Sequence, residues 1–324
     1  MDWLKLKDLE AAREIVHSHM VPTPVLNWPL LDRRVGGEVW VKHENHTPIG
    51  AFKVRGGLVY LTRTKTDMPD LSGVLSASTG NHGQSVGRAA GMVGVPATIV
   101  VPKGNNPGKN AAIKALGVDL KEEGSDFQAA REYAESLAAT EGLHMVPPFH
   151  PWLVQGVGSY GLELFAAQPD LDTVYVPIGL GSGICGVIAA RDALGLKTKI
   201  VGVVAEGAPC YALSFAENKV VATNGVDTVA EGLAVRNPDA LALEIIQKGA
   251  ERVVAVTDAE IMAAMRAFFT DTHNLAEGAG AAALAARIKE QNLIGGGKTG
   301  VVLSGGNVDK ALLLRVLAGE GAEG

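Results

Sequence analysis

Short apolar runs recur along the chain between segments of helical pattern, and they constrain the fold more than any other feature. They lie at 73–76, 97–101, 118–120, 143–146, 173–178, 199–204, 252–256 and 300–303. Most are nearly continuous in Val, Ile and Leu, without regular polar alternation. Such strands are buried on both faces, which is typical of parallel sheets covered by helices. The pattern therefore predicts an α/β fold with open, mainly parallel twisted sheets.

Helix boundaries can be predicted at several points. The apolar residues of the first helix recur at helical spacing: Leu9, Ala12 and Val16. Thr257 followed by Glu260 has the spacing of a capping box. Asn237 followed by Pro238 predicts an N-cap with proline at the first helical position.

Composition excludes several classes of partner and compartment. The 324 residues carry a net charge of −6 without a basic block, which argues against nucleic acid and anionic membranes. There is no apolar run of membrane-spanning length and no apolar leader at Met1. Cys185 and Cys210 form no C-x-x-C pair, which fits a reducing compartment. We therefore expect a soluble, cytoplasmic protein.

Lys53 is the most unusual charged residue of the sequence. It lies between Phe52 and Val54, just before Gly56 and Gly57. A hydrated ammonium group is rarely found in an apolar, closely packed turn unless something neutralises it. A desolvated lysine has a lowered pKa and can condense with an aldehyde. By itself, however, the pattern fits a lysine whose stem packs while its amine reaches solvent.

Three Gly-rich segments follow predicted strands, where open α/β sheets bind ligands. They are 76–84, 177–186 and 303–307. The first is rich in small polar residues, which suits a carboxylate or phosphate at a helix start, although a Ser or Thr N-cap has similar residues. The third fits a ligand-binding strand end or a simple turn with an Asn cap.

The second segment leaves two ligands open. Gly181, Gly183 and Gly186 match G-x-G-x-x-G, and Glu206 follows the next strand, as in dinucleotide-binding folds. The same backbone N–H groups could cradle a lone phosphate. A second match at Gly156, Gly158 and Gly161 has no acid after its next strand.

Histidine and serine patterns predict no further chemistry. The histidines at 17, 19, 43 and 46 lack the spacing and flanking acids of a zinc site, so we expect no metal. The sequence contains no G-x-S-x-G nucleophile motif.

Taken together, these segments resemble the signature of fold-type II pyridoxal-phosphate enzymes. Residues 50–56 resemble their Schiff-base lysine motif, and 77–84 their loop for the substrate carboxylate. Residues 177–183 resemble the phosphate loop, and 304–307 the strand end beneath the pyridine nitrogen. The chain resembles the threonine dehydratase and serine racemase group over essentially its whole length.

The resemblance implies roles for individual residues. Lys53 would hold pyridoxal 5'-phosphate and remove the Cα proton, with Thr79 as the second catalytic candidate. The implied cofactor-binding residues are Lys53, Phe52, Asn81, Gly179, Leu180, Gly181, Ser182, Gly183 and Ser304. The implied substrate-binding residues are Ser78, Thr79, Gly80, Asn81 and His82.

The implied reaction is β-elimination of a small β-hydroxy amino acid, such as L-threonine or L-serine, to a 2-oxo acid and ammonia. Ser304 cannot hold the pyridine nitrogen protonated as a carboxylate would, which favours elimination over transamination. The alternatives within the family are an amino-acid racemase and a dehydratase of 3-hydroxyaspartate or phenylserine.

Three departures from the family pattern affect these expectations. Leu180 and Ser182 interrupt a loop that is often four glycines. Thr79 replaces the serine that acts as the second acid/base of the racemases. No second carboxylate closely follows Glu206, so the cation site of that branch is incomplete, and we expect no metal.

The resemblance also implies a domain organisation like that of the tryptophan synthase β-subunit. A large cofactor-binding domain would comprise 1–70 and 151–324, and a small mobile substrate-binding domain 71–150. A homodimer is expected. Because the sequence ends soon after 307, we expect no regulatory domain like that of biosynthetic threonine dehydratases.

Two alternatives lie outside this reaction class. A nicotinamide-dependent oxidoreductase would use Gly181, Gly183, Gly186 and Glu206, but it leaves the Lys53 segment unexplained. A non-catalytic amino-acid-binding protein would not need the intact Lys53.

Overall fold

A computed structural model describes residues 4–319, which form two sheets with helices around them. The strands are β1 (Val25–Asn27), β2 (Val39–His43), β3 (Val74–Ala77), β4 (Ala97–Val101), β5 (Asp119–Glu122), β6 (His144–Met145), β7 (Thr173–Pro177), β8 (Lys199–Ala205), β9 (Arg252–Val256) and β10 (Thr299–Leu303).

The α-helices alternate with these strands along most of the chain. They are α1 (Leu6–His17), α2 (Pro29–Val35), α3 (Lys53–Asp67), α4 (Asn81–Met92), α5 (Pro107–Lys114), α6 (Phe127–Glu141), α7 (Pro151–Ala167), α8 (Ser182–Ala193), α9 (Cys210–Glu217), α10 (Ala240–Gly249), α11 (Asp258–Thr272), α12 (Gly278–Lys289), α13 (Gln291–Ile294) and α14 (Lys310–Leu317). Short 3₁₀ helices span Glu44–His46 and Glu231–Leu233. Within the described residues, no helix combines the length and apolar character that crossing a membrane requires.

The larger sheet has the strand order β1-β2-β10-β7-β8-β9, and the smaller has β5-β4-β3-β6. Neighbouring strands are parallel in both sheets except for β1 and β2, which are antiparallel. The predicted α/β class with mainly parallel sheets is therefore confirmed. The sequence did not predict β1, a three-residue edge strand without a continuous apolar run.

The chain divides into two compact units, each containing one sheet. Of the described residues, the first unit contains 4–10, 22–52 and 157–319, and the second contains 11–21 and 53–156. The six-stranded sheet lies in the first unit and the four-stranded sheet in the second. The chain passes from one unit to the other between Phe52 and Lys53.

Each unit has its own apolar core. In the first, the fully buried strands β7 and β10 lie in a sheet against which the Ala-rich α12 packs. In the second, three alanines of α6 pack against Leu75 and Val100 of the sheet: Ala130, Ala134 and Ala138. Small side chains at helical spacing allow α6 to lie close to that sheet.

The predicted helix boundaries were confirmed in one case and wrong in another. Thr257 and Glu260 form the capping box at the start of α11. Asn237 does not cap α10, because the carboxylate of Asp239 accepts from the N–H of Ala242 at 3.0 Å instead. The helix consequently begins two residues after Pro238, at Ala240.

Candidate active site

Lys53 is the first residue of α3, and the glycines after it allow close helix packing. A Cβ on Gly56 would lie 2.9 Å from the carbonyl oxygen of Leu153, and one on Gly57 would overlap the Ser85 hydroxyl. That hydroxyl donates to the Lys53 carbonyl at 2.6 Å. Gly56 therefore lets α3 approach Leu153 of α7, and Gly57 lets the first turn of α3 approach Ser85 of α4.

The segment before Lys53 is bonded to the predicted strand-end motif at 304–307. The N–H of Phe52 donates to the carbonyl of Ser304 at 3.0 Å, and Ala51 pairs with Gly305 as an isolated bridge. The N–H of Gly306 donates to the carbonyl of Gly50 at 2.9 Å. Two segments about 250 residues apart in sequence thus form one paired structure beside Lys53.

Asn307 belongs to this paired structure and does not cap a helix. Its Nδ2 donates to the carbonyl of Ile49 at 2.7 Å. The cap of α14 is Asp309, whose carboxylate accepts from the N–H groups of Ala311 and Leu312. The Asn-cap interpretation of this motif is therefore wrong.

The loop 78–80 joins β3 to α4. Ser78 is buried, and its Oγ accepts from the N–H of Gly83 at 2.9 Å. Its own hydroxyl proton remains a possible donor to a ligand. Thr79, Gly80 and Asn81 are half-buried. The N-cap residue is Gly80, without a side-chain cap, so the Ser or Thr N-cap interpretation is wrong; Ser78 instead accepts from the first turn of α4 and keeps a capacity for ligand binding.

His82 is neutral at physiological pH. Its buried Nε2 has no hydrogen-bond partner among the described residues. Burial, with a contribution from the positive charge of Lys53, lowers the pKa of His82 from 6.5 to about 3. Nε2 of this neutral imidazole can therefore accept a hydrogen bond from a ligand or donate one to it, but the side chain offers no positive charge to a bound carboxylate.

The loop 178–181 joins β7 to α8 and requires glycine at two positions. A Cβ on Gly179 would overlap the carbonyl oxygen of Gly232. Gly181 has φ of +106°, and its Cβ would lie 2.7 Å from Cβ of Ala242. Ser182 is buried at the first position of α8, whereas Leu180 is half-exposed. This geometry forms a cradle at a helix N-terminus, where the first N–H groups have no acceptor within the helix.

Two glycines of the G-x-G-x-x-G matches, Gly158 and Gly186, serve helix packing. Gly156, Gly158 and Gly161 lie inside α7, so this match forms no loop. A Cβ on Gly158 would lie 2.8 Å from Leu9, and one on Gly186 would lie 2.8 Å from the backbone nitrogen of Gly158. Gly158 and Gly186 thus let α7 and α8 pack closely. Gly186, the third glycine of the 181–186 match, is therefore explained by helix packing and needs no bound dinucleotide.

The predicted site residues fall into two groups, one in each unit. The second unit places Lys53 on α3 against α4, whose start carries the Ser78–His82 loop. The first unit places Phe52 beside Ser304, and the Phe52 ring 3.6 Å from where a Cβ of Gly183 would lie. Among the described residues, no three His, Cys, Asp or Glu side chains form a potential metal-binding group.

These groups fit pyridoxal phosphate chemically. An amine suits its aldehyde, and the glycine cradle with the Ser182 hydroxyl suits its phosphate. Ser304 is buried just after β10 and offers a neutral hydroxyl to a ring nitrogen.

Sequence reasoning did not identify two tyrosines that contact the cradle. Tyr160 donates to the carbonyl of Gly183 at 3.0 Å, and Tyr211 donates to that of Leu180 at 2.8 Å. Tyr160 lies within the Gly156–Gly161 match, where only the glycines were considered. Tyr211 lies just after Glu206, where only carboxylates were sought.

Comparisons with known proteins identify the family. The sequence model described as "Pyridoxal-phosphate dependent enzyme" matches residues 16–305. L-threonine ammonia-lyase of Thermotoga maritima is 33% identical over 315 residues, covering 97% of this chain and 78% of the relative.

Solved structures agree with that match. Processed threonine deaminase isoform 2 of Solanum lycopersicum has a TM-score of 0.90 and 30% identity, covering 98% of this chain and 90% of its own. Maize serine racemase has a TM-score of 0.89 and 27% identity, covering 97% of each chain. The nicotinamide alternative explains none of these similarities. The chain belongs to the family of pyridoxal-phosphate-dependent enzymes.

Proposed function

We propose that this protein is an ammonia-lyase that converts a small β-hydroxy amino acid, L-threonine or L-serine, to a 2-oxo acid and ammonia. The similarity to proteins named L-threonine ammonia-lyase and threonine deaminase supports this substrate class. The match extends over nearly the whole chain, and therefore over all four motifs.

One structural observation carries the proposal. The N–H of Phe52 is hydrogen-bonded to the carbonyl of Ser304, and Lys53 follows Phe52 directly. Lys53 thus directly follows a segment that is paired with the segment carrying the hydroxyl proposed for the ring nitrogen. A snorkelling surface lysine would need no such pairing.

Each residue group has a defined task in this proposal. Bound pyridoxal phosphate supplies the electron sink that makes the substrate Cα proton acidic. Lys53 anchors the cofactor and moves the Cα proton, while the residues 179–183 hold the phosphate. Ser304 accepts or shares a hydrogen bond without supplying a negative charge, and this favours loss of a β-substituent over transamination.

The Ser78–His82 loop would hold the substrate carboxylate. Thr79 and Asn81 are half-buried, and the N–H groups at the start of α4 suit an anion. Because His82 is uncharged, carboxylate binding at this loop relies on hydrogen bonds.

The attachment site can be tested directly. Borohydride treatment of the protein loaded with pyridoxal phosphate should leave a pyridoxyl group on Lys53, located by peptide mass spectrometry. Lys53→Ala should abolish labelling and ammonia release, whereas Lys65→Ala on the same helix should change neither. Labelling of another lysine, or full ammonia release by Lys53→Ala, would refute the proposal.

A racemase remains the second candidate. The similarity to maize serine racemase and the hydroxyl of Thr79 favour it. The assay is the formation of D-serine from L-serine, measured beside pyruvate release. If Thr79 acts as a second acid/base, Thr79→Ala should lose racemisation while retaining more of the elimination, and Thr79→Ser should retain both.

Other parts of the proposal concern substrate range and organisation. Threonine, serine, 3-hydroxyaspartate and phenylserine, compared by kcat/KM, would identify the preferred β-substituent. We further propose a cytoplasmic homodimer, testable by fractionation and light scattering. The proposed small mobile domain, 71–150, should show different hydrogen exchange with and without substrate.

A further inference from the structure

The carbonyl groups of the proposed phosphate loop have specific partners. A loop that turns its N–H groups toward an anion must turn carbonyl groups toward the protein, where each needs a donor. The carbonyl of Leu180 accepts from Tyr211, and that of Gly183 accepts from Tyr160. Both tyrosines are only 1% exposed. These hydrogen bonds are therefore protected from competition with water.

Tyr211 connects the loop to the start of α10. Its oxygen also accepts from the N–H of Asp239 at 3.0 Å, while the Asp239 carboxylate caps that helix. A Cβ on Gly181 would lie 3.3 Å from the same hydroxyl. Burial raises the pKa of Tyr211, so this group remains a donor throughout the working pH range.

Tyr160 connects the other end of the loop to the residue before Lys53. Its ring lies edge-to-face with Phe52, with centroids 6.0 Å apart and an interplanar angle of 83°. The same side chain therefore contacts both the loop and Phe52, which is itself bonded to Ser304.

We propose that Tyr160 and Tyr211 are positioning residues that hold the phosphate loop with its N–H groups directed at the cofactor phosphate. This inference rests on the proposed assignment of residues 179–183 to the phosphate. Tyr211 fixes the orientation of the Leu180 peptide group, and Tyr160 holds the first turn of α8 through the Gly183 carbonyl. The loop thereby keeps a fixed conformation although Leu180 and Ser182 interrupt the run of glycines.

The test compares pyridoxal phosphate with pyridoxal, which lacks the phosphate. Dissociation constants are measured for the full-length protein after removal of the cofactor, in wild type, Tyr160→Phe and Tyr211→Phe. Tyr211→Phe should lower the preference for pyridoxal phosphate about 5- to 10-fold, because the Leu180 carbonyl loses its donor; Tyr160→Phe should lower it less, because Gly183 lies inside α8, where its carbonyl can also accept along the helix. The preference is the ratio of the dissociation constants of pyridoxal and pyridoxal phosphate for the same variant, so a general loss of stability affects both constants and cancels.

Tyr175→Phe is the matched control. Tyr175 is also fully buried in the first unit, and its hydroxyl donates to Oε2 of Glu290 at 2.7 Å, away from the loop. Tyr175→Phe should therefore show the same preference for pyridoxal phosphate over pyridoxal as wild type. A second readout is thermal stabilisation by inorganic phosphate, which should fall in Tyr160→Phe and Tyr211→Phe only.

Failure of this inference differs from failure of the proposed function. If Ser182→Ala lowers the preference for the phosphate form but a tyrosine variant does not, the loop assignment stands and the role of that tyrosine is refuted. If wild type binds both compounds equally while Lys53 is still labelled, the loop assignment itself is wrong. The inference about the tyrosines is then overturned with it.

Discussion

Replacing Gly50 with alanine tests whether the paired segments beside Lys53 control cofactor binding. Gly50 has φ of +69°, and an added Cβ would lie 2.5 Å from Oδ1 of Asn307. The Asn307 amide would have to move, which breaks its hydrogen bond to the carbonyl of Ile49. Ile49 is 5% exposed, so water cannot readily replace that bond.

The expected magnitude has two parts. Alanine in the left-handed region costs about 1–2 kcal/mol, offset by about 0.4–1 kcal/mol from the reduced entropy of the unfolded chain. Leaving the carbonyl of Ile49 unpartnered adds about 1–3 kcal/mol. We therefore expect Gly50→Ala to lower the free energy of unfolding by about 1–5 kcal/mol.

Gly36 is the matched control because it has almost the same backbone geometry without the contact. Its φ is +66°, and an added Cβ would meet nothing within 4 Å. Gly36→Ala should cost only about 1 kcal/mol and leave the dissociation constant of pyridoxal phosphate unchanged. Gly50→Ala should weaken that binding, because residues 50–52 lead directly into Lys53.

A double-mutant cycle with Asn307→Ala isolates the contact. Once the Asn307 amide is absent, adding the methyl group at position 50 should cost no more than it does at Gly36. The two changes should therefore be less than additive by about 1–3 kcal/mol in urea unfolding of the cofactor-free protein. Equal losses for Gly36→Ala and Gly50→Ala, or strict additivity in the cycle, would refute the reasoning.

Further predictions concern buried charges and histidines. Nζ of Lys42 is fully buried, 2.5 Å from Glu163, so Lys42→Met should lower the free energy of unfolding by about 3–5 kcal/mol in urea. Lys199 forms an exposed ion pair with Glu251, so Lys199→Met should change the free energy of unfolding by no more than about 1 kcal/mol. Equal losses in Lys42→Met and Lys199→Met would contradict this prediction. His82 and His43 have pKa values lowered to about 3 and about 4, chiefly by burial. As the pH falls below 6.5, the two imidazoles are protonated in the unfolded chain but not in the folded one, so the free energy of unfolding should fall between pH 6.5 and pH 3. An NMR titration of either imidazole near pH 6.5 in the folded protein would contradict the assignment.

The fold class could be predicted because its signal is local. Strands such as β7 and β10 are buried on both faces and read as continuous apolar runs. The edge strand β1 was missed because only three residues pair there. At α10, Asn237 and Asp239 are both good caps, and the contact of Asp239 with the N–H of Ala242 decides between them.

The candidate site was only partly predictable because its assembly depends on distant pairings. Glycines mark the loop at 179–183, but nothing local indicates that Tyr211 and Tyr160 donate to its carbonyls. The neutral state of His82 could not be predicted from the sequence either, because it results from burial. Which buried tyrosines contact a Gly-rich loop is determined by the fold and not by the local sequence.

Lys53 shows why sequence alone left its role open. As a single residue between Phe52 and Val54, it is better explained by a packed stem with an exposed amine than by a covalent anchor. In the structure, the backbone before it is held by the bond from Phe52 to Ser304, and its own carbonyl accepts from Ser85. Lys53 therefore has a defined backbone position, held at the preceding residue and at its own carbonyl. A covalent anchor requires such a position, whereas a solvated ammonium group does not.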